Sequence, residues 1–100
     1  MTNLGNGNGR TSHKAEHRGL LKLMLKLPAM RGRLQIVAAS SRSLADIFEA
    51  YEEASEMLER LRQQGNKADS ALLAEYENVC SEIESDVIRY CLDEHRHVLK

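Results

Sequence analysis

Chemistry in this chain would have to come from its cysteines, histidines and carboxylates, and one stretch gathers all three. CLDEHRH runs from Cys91 to His97. On a helix Cys91 and His95 lie one turn apart and could face one ion. Asp93 and His97 form a second such pair on a different face. A zinc site takes four protein ligands, or three and a water. One helix supplies two at a time here, so a second segment or a second chain would have to complete the site. The simpler reading is that the histidines favour a helix C-terminus and that Cys91 belongs to the core. The expectation is no metal and no cofactor.

The other cysteine, Cys80, falls on an apolar helix face, where a thiol is inert unless a histidine shares a cleft with it. Cys80 and Cys91 on one helix stand roughly 16 Å apart along its axis, beyond disulfide reach. Two reduced, buried cysteines suit a cytoplasmic protein. No GxSxG, HExxH or glycine-rich phosphate loop occurs. GNGNG near the N-terminus follows no strand. The carboxylates line a helix face and do not pair as acid and base, so the chain is not expected to be an enzyme.

Residues 1–33 carry seven Lys/Arg and one acid, Glu16, whereas 34–100 carry seven Lys/Arg and fourteen acids. Charge separated this way favours an interaction, within the chain or with a partner. At the centre of the basic third lies HRGLLKLMLKLPAMRGR, His17 to Arg33. On a helical wheel Leu20, Leu21, Leu23, Met24, Leu25 and Leu27 cover an arc of roughly 200°, with Arg18, Lys22 and Lys26 opposite. The segment could be a third core helix, a partner-binding helix, or a helix lying on a membrane surface. Its apolar run is too short to cross a bilayer, and no signal peptide is evident. Lys14, Arg18, Lys22, Lys26, Arg31 and Arg33 could meet nucleic acid, although no aromatic residues interleave with them and no DNA-binding motif is present.

The elements that must position these residues are helical. Ala, Leu, Glu, Arg, Lys and Gln dominate, there is one proline, and glycine is absent after Gly65. Residues 1–12, with three glycines and three asparagines, read as a disordered tail. A single helical domain is expected over 13–100, with helices at about 13–27, 29–40 (continuing or broken into the next), 43–64 and 68–97. Pro28 separates the first two. Ser43 and Asp46 resemble a capping box.

From Leu44 onward, Ile47, Tyr51, Ala54, Leu58 and Leu61 follow a coiled-coil spacing. Asp46, Glu49, Glu52, Glu53, Glu56 and Glu59 crowd an arc of about 140° on the same helix. Gly65 and Asn66 close it, and Asp69 can cap the last helix, whose Leu73, Tyr76, Cys80, Ile83, Val87 and Tyr90 repeat the spacing.

The expected fold is all-α: an antiparallel, coiled-coil-like helical hairpin plus a shorter basic amphipathic N-terminal helix. So thin a hairpin covers one side of each apolar stripe, which predicts a homodimer. The expected function is a small protein-interaction or regulatory protein. Its partner surfaces would be Leu20, Leu21, Leu23, Met24 and Leu27 with Arg18, Lys22 and Lys26, and the acidic Asp46, Glu49, Glu53 and Glu56. A nucleic-acid-binding regulator is the alternative, and a peripheral membrane protein a third class.

Overall fold

The structure is a computed structural model. It describes residues 14–40 and 42–93 with their side chains, and beyond them the backbone of the two terminal helices. The expected tail at 1–12 and the residues His95 and His97 fall outside the fully described part. Among the described residues there is no strand. Four α-helices pack together: α1 (Asn3–Lys26), α2 (Arg31–Ser40), α3 (Ala45–Gln64) and α4 (Ser70–Leu99), joined by 3-10 turns at Pro28–Met30, Arg42–Leu44 and Gly65–Lys67.

Each break has a local cause. Leu27 leaves the helical region (φ −121°, ψ 68°) while its N–H still donates to the Leu23 carbonyl. Pro28 follows, where a missing N–H costs nothing at the start of a turn. Gly65 has a φ of 60°, a conformation costly for any residue with a Cβ, and it stops α3. Asp69 Oδ1 then accepts hydrogen bonds from the N–H groups of Ala71 and Leu72, capping α4.

The capping box expected at Ser43 does not form. Residues 42–44 make a 3-10 turn, so Leu44, with helical φ and ψ, occupies the cap position and no side chain bonds there. Ser43 Oγ instead lies 3.3 Å from the Tyr90 hydroxyl on α4.

α3 is the central element. It packs against α1 on one flank and α4 on another, while α2 packs on α1 and α4. As α3 runs from Tyr51 to Arg62, its partners on α4 run from Glu84 back to Glu77, so these two helices are antiparallel. α1 runs the same way as α3: Gly19 meets Phe48, and Lys22 meets Glu52 and Ser55.

One core joins all four helices. Leu23 and Met24 enter from α1, Leu34 and Val37 from α2, Phe48, Tyr51, Ala54 and Leu58 from α3, and Cys80, Val87 and Cys91 from α4. Leu44 completes it from the turn before α3. α1 and α2 of the same chain thus cover much of the α3 and α4 stripes that the sequence leaves one-sided, while Ile47, Leu73, Tyr76, Ile83 and Tyr90 stay partly exposed at the edge of the core. Association with a second copy is not needed to close this core.

The contact of α1 with α3 depends on Gly19. It is buried, and a Cβ added there would lie 1.8 Å from the Phe48 carbonyl oxygen. No backbone atom can yield that much in a packed interface, so the helices approach this closely only because the position has no side chain. Gly19→Ala therefore tests the packing against intrinsic propensity. Alanine favours a helix by roughly 0.8–1.0 kcal/mol over glycine, so an independent α1 would gain stability. The expected result in a thermal melt is the reverse, a lower Tm reflecting an overpacking cost of about 1–3 kcal/mol.

Candidate functional site

The residues singled out by type and spacing do not gather in one place. Of the apolar set, Leu23 has no exposed surface, Met24 is buried, and Leu20 and Leu27 are half-buried against the core. Leu21 and Leu25 face away from it, and Leu25 at 78% exposure is the most open large apolar side chain among the described residues. A helix with its core on one side and two leucines on the other explains the wide apolar arc of this segment.

The basic and acidic sets meet at one point. Glu52, at 3% exposure, is the buried charged residue among those described. Lys22 Nζ lies 2.8 Å from its Oε1, and Arg18 approaches Oε2 at 4.0 Å. The lysine contact is an ion pair without hydrogen-bond alignment, for Oε1 accepts no hydrogen bond. The ammonium instead donates to Ser55 Oγ at 2.9 Å, and Ser55 donates in turn to the Glu52 carbonyl. Charge separation along the sequence thus becomes a charge clasp between α1 and α3. Asp46, Glu53 and Glu56 remain exposed on α3, and Glu49 is half-buried.

A groove of about 770 Å³ opens beside this clasp, between α1, α3 and α4. Lys22 and Lys26 border it from α1, Tyr51 and Arg62 from α3, and Cys80 and Glu84 from α4. Tyr51 donates to Glu84 Oε2 at 2.6 Å. Burial, reinforced by this bond and by the carboxylate's charge, pushes the Tyr51 phenol well above its ordinary range. Burial likewise raises the Cys80 thiol, with Glu84 adding to the effect and Arg62, Lys26 and Lys22 opposing it. Cys91 is raised by burial against a smaller opposing influence from Arg33. A thiol held protonated is a poor nucleophile and a poor metal ligand. Among the described residues no three His, Cys, Asp or Glu side chains come together as a metal would require, and no described helix is long and apolar enough to cross a membrane.

Three features of this region escape a reading by type and spacing. Gly19 carries the only advance signal, an isolated glycine inside a helical pattern, which commonly marks a close packing contact. The burial of Glu52 carries no such signal: Glu59 lies at least as close to the Phe48 side of the acidic arc and is exposed, and the difference is made by α1, which brings Lys22 to Glu52. The Tyr51–Glu84 bond joins residues 33 apart, and nothing local announces it. No family model, curated protein or solved structure matches the chain.

The clasp and the phenol each yield an expected outcome. Lys22→Met strips the closest partner from a buried carboxylate and should cost about 1–3 kcal/mol in chemical denaturation. Lys22→Met combined with Glu52→Leu should recover much of that loss, because no buried charge is then left without its partner; strictly additive losses would contradict the clasp. For Tyr51, the folded state holds the proton more tightly than the unfolded chain. Its stabilising contribution is complete below the unfolded phenol's pKa of about 10 and declines as pH rises beyond it. Tyr51→Phe should flatten the loss of stability on raising the pH above about 10, and an unchanged alkaline slope would show that the phenol does not contribute.

Proposed function

We propose that this chain is a small, non-enzymatic regulatory protein that acts by binding protein surfaces. It would work in the cytoplasm as a coiled-coil-like helical bundle that self-associates at least to a homodimer. The observation that carries this reading is the two-sided α1. The helix spends Leu23, Met24 and Lys22 on its own core and clasp, yet keeps Leu21 and Leu25 outward, with Lys14, His17 and Arg18 exposed beside or before them. Apolar side chains at i,i+4 with a basic margin are a form suited to helix-in-groove recognition. Two buried, unpaired thiols support a reducing compartment.

The nucleic-acid alternative loses support at the clasp. Of the six cations it relied on, Lys22 is turned toward Glu52, Arg18 stays mostly exposed with one nitrogen 4.0 Å from that carboxylate, and Lys26 borders a groove that also holds carboxylates. The protein-binding reading also differs from the sequence expectation in its reason for self-association. The core is closed within one chain, so copies would meet through surface residues.

Light scattering at micromolar concentration should return at least twice the 11.3 kDa chain mass. A single species of one chain mass at every concentration would overturn the homodimer. Retardation of DNA or RNA in a low-salt gel, lost steeply as salt is raised, would replace this reading with the nucleic-acid one.

A further inference from the structure

On the flank of α3 away from α1, a second groove of about 400 Å³ runs between α3 and α4. Ala50, Ala54 and Met57 line it from α3, and Tyr76 and Val79 from α4. Glu53 and Glu56, both exposed, stand on its margin, with Arg60 at the C-terminal end. Apolar lining under an acidic margin is the complement of the outward ridge of α1, where Leu21 and Leu25 follow Lys14, His17 and Arg18. The lengths agree as well. Arg18 to Leu25 and Ala50 to Met57 each span eight residues, seven helical rises or about 10 Å.

Building on the self-association proposed above, we infer that the occupant of this groove is the α1 ridge of a second copy of the same chain. Arg60 sets the direction. With the ridge parallel to α3, its cationic end lies toward Ala50 and Glu53, and Leu25 lies against Met57 and the aliphatic stem of Arg60. The reverse direction would bring Arg18 against Arg60.

The relative placement of ridge and groove fixes the symmetry. α1 covers the Phe48, Glu52 and Ser55 flank of α3. Ala50 and Met57 lie roughly 180° around the helix from that flank, at 100° per residue. The ridge points outward from the opposite side. A copy therefore cannot exchange ridge for groove with one partner through a single two-fold interface. The contact is head-to-tail, and each pair keeps one ridge and one groove open for further copies.

The test uses the full chain and two surface variants. Leu25→Glu disables the ridge. Glu53→Lys with Glu56→Lys disables the groove margin, and all three positions are exposed, so helical circular dichroism should match the parent. Each variant alone should need at least ten times the parent's concentration to associate. An equimolar mixture should form a two-copy complex and stop there, because one variant offers an intact groove and the other an intact ridge. Ile36→Glu, which alters a 69%-exposed residue on α2 away from both, should associate like the parent. Full association by either variant alone, or no complex in the mixture, would overturn the head-to-tail contact while leaving self-association standing. A parent chain that stays at one chain mass would overturn both.

Discussion

The architecture rests on how closely α1 can approach α3. At Gly19 the two backbones come within a distance that excludes even a methyl group. That approach brings Lys22, one turn further on, into reach of a carboxylate that has almost no contact with solvent. The two effects depend on each other. A buried Glu52 without its cation would carry a desolvation cost of several kcal/mol, and a lysine held away by a larger residue at position 19 could not supply the compensation. Leu23, on the same face as Gly19, then becomes fully buried, and α1 ceases to be an appendage of a two-helix hairpin.

This placement accounts for the opposed charges along the chain. The acidic arc of α3 repels itself, since like charges one turn apart destabilise a helix by a few tenths of a kcal/mol each. α1 supplies cations from one side, and Arg62–Glu77 adds an exposed pair across α3 and α4. Exposed pairs contribute little. The buried contact is the one that distinguishes the docked arrangement from alternatives, because Glu52 tolerates burial only where Lys22 reaches it.

The helical class was legible because it depends on local rules: composition, the 3–4 spacing of apolar residues, the proline at 28 and the glycine at 65. The core stripe of α3 was legible for the same reason, since Leu44, Tyr51, Ala54, Leu58 and Leu61 are buried and Ile47 is partly buried. Phe48 was not assigned to that stripe. It belongs to a second stripe that exists only because α1 arrives on that side. The site was less legible. Which leucines of Leu20–Leu27 turn inward depends on the helix they meet, and spacing alone treats Leu23 and Leu25 alike. The cap expected at Ser43 was not legible either, because a 3-10 turn over 42–44 moves the helix start to Ala45 and leaves the Ser43 hydroxyl near Tyr90, 47 residues away.

The order of elements along the chain also sets an order in time. α1 packs mainly on α3 rather than on its neighbour α2, and Glu52 follows Lys22 by thirty residues. At ribosomal rates of about 5–20 residues per second, Lys22 and the leucines beside it leave the ribosome roughly 1.5–6 s before Glu52 does. During that interval every leucine of α1 is uncovered, including those that the finished protein hides. For a few seconds of each synthesis the nascent chain presents a stickier surface than the mature one, and the arrival of α3 brings that period to a close.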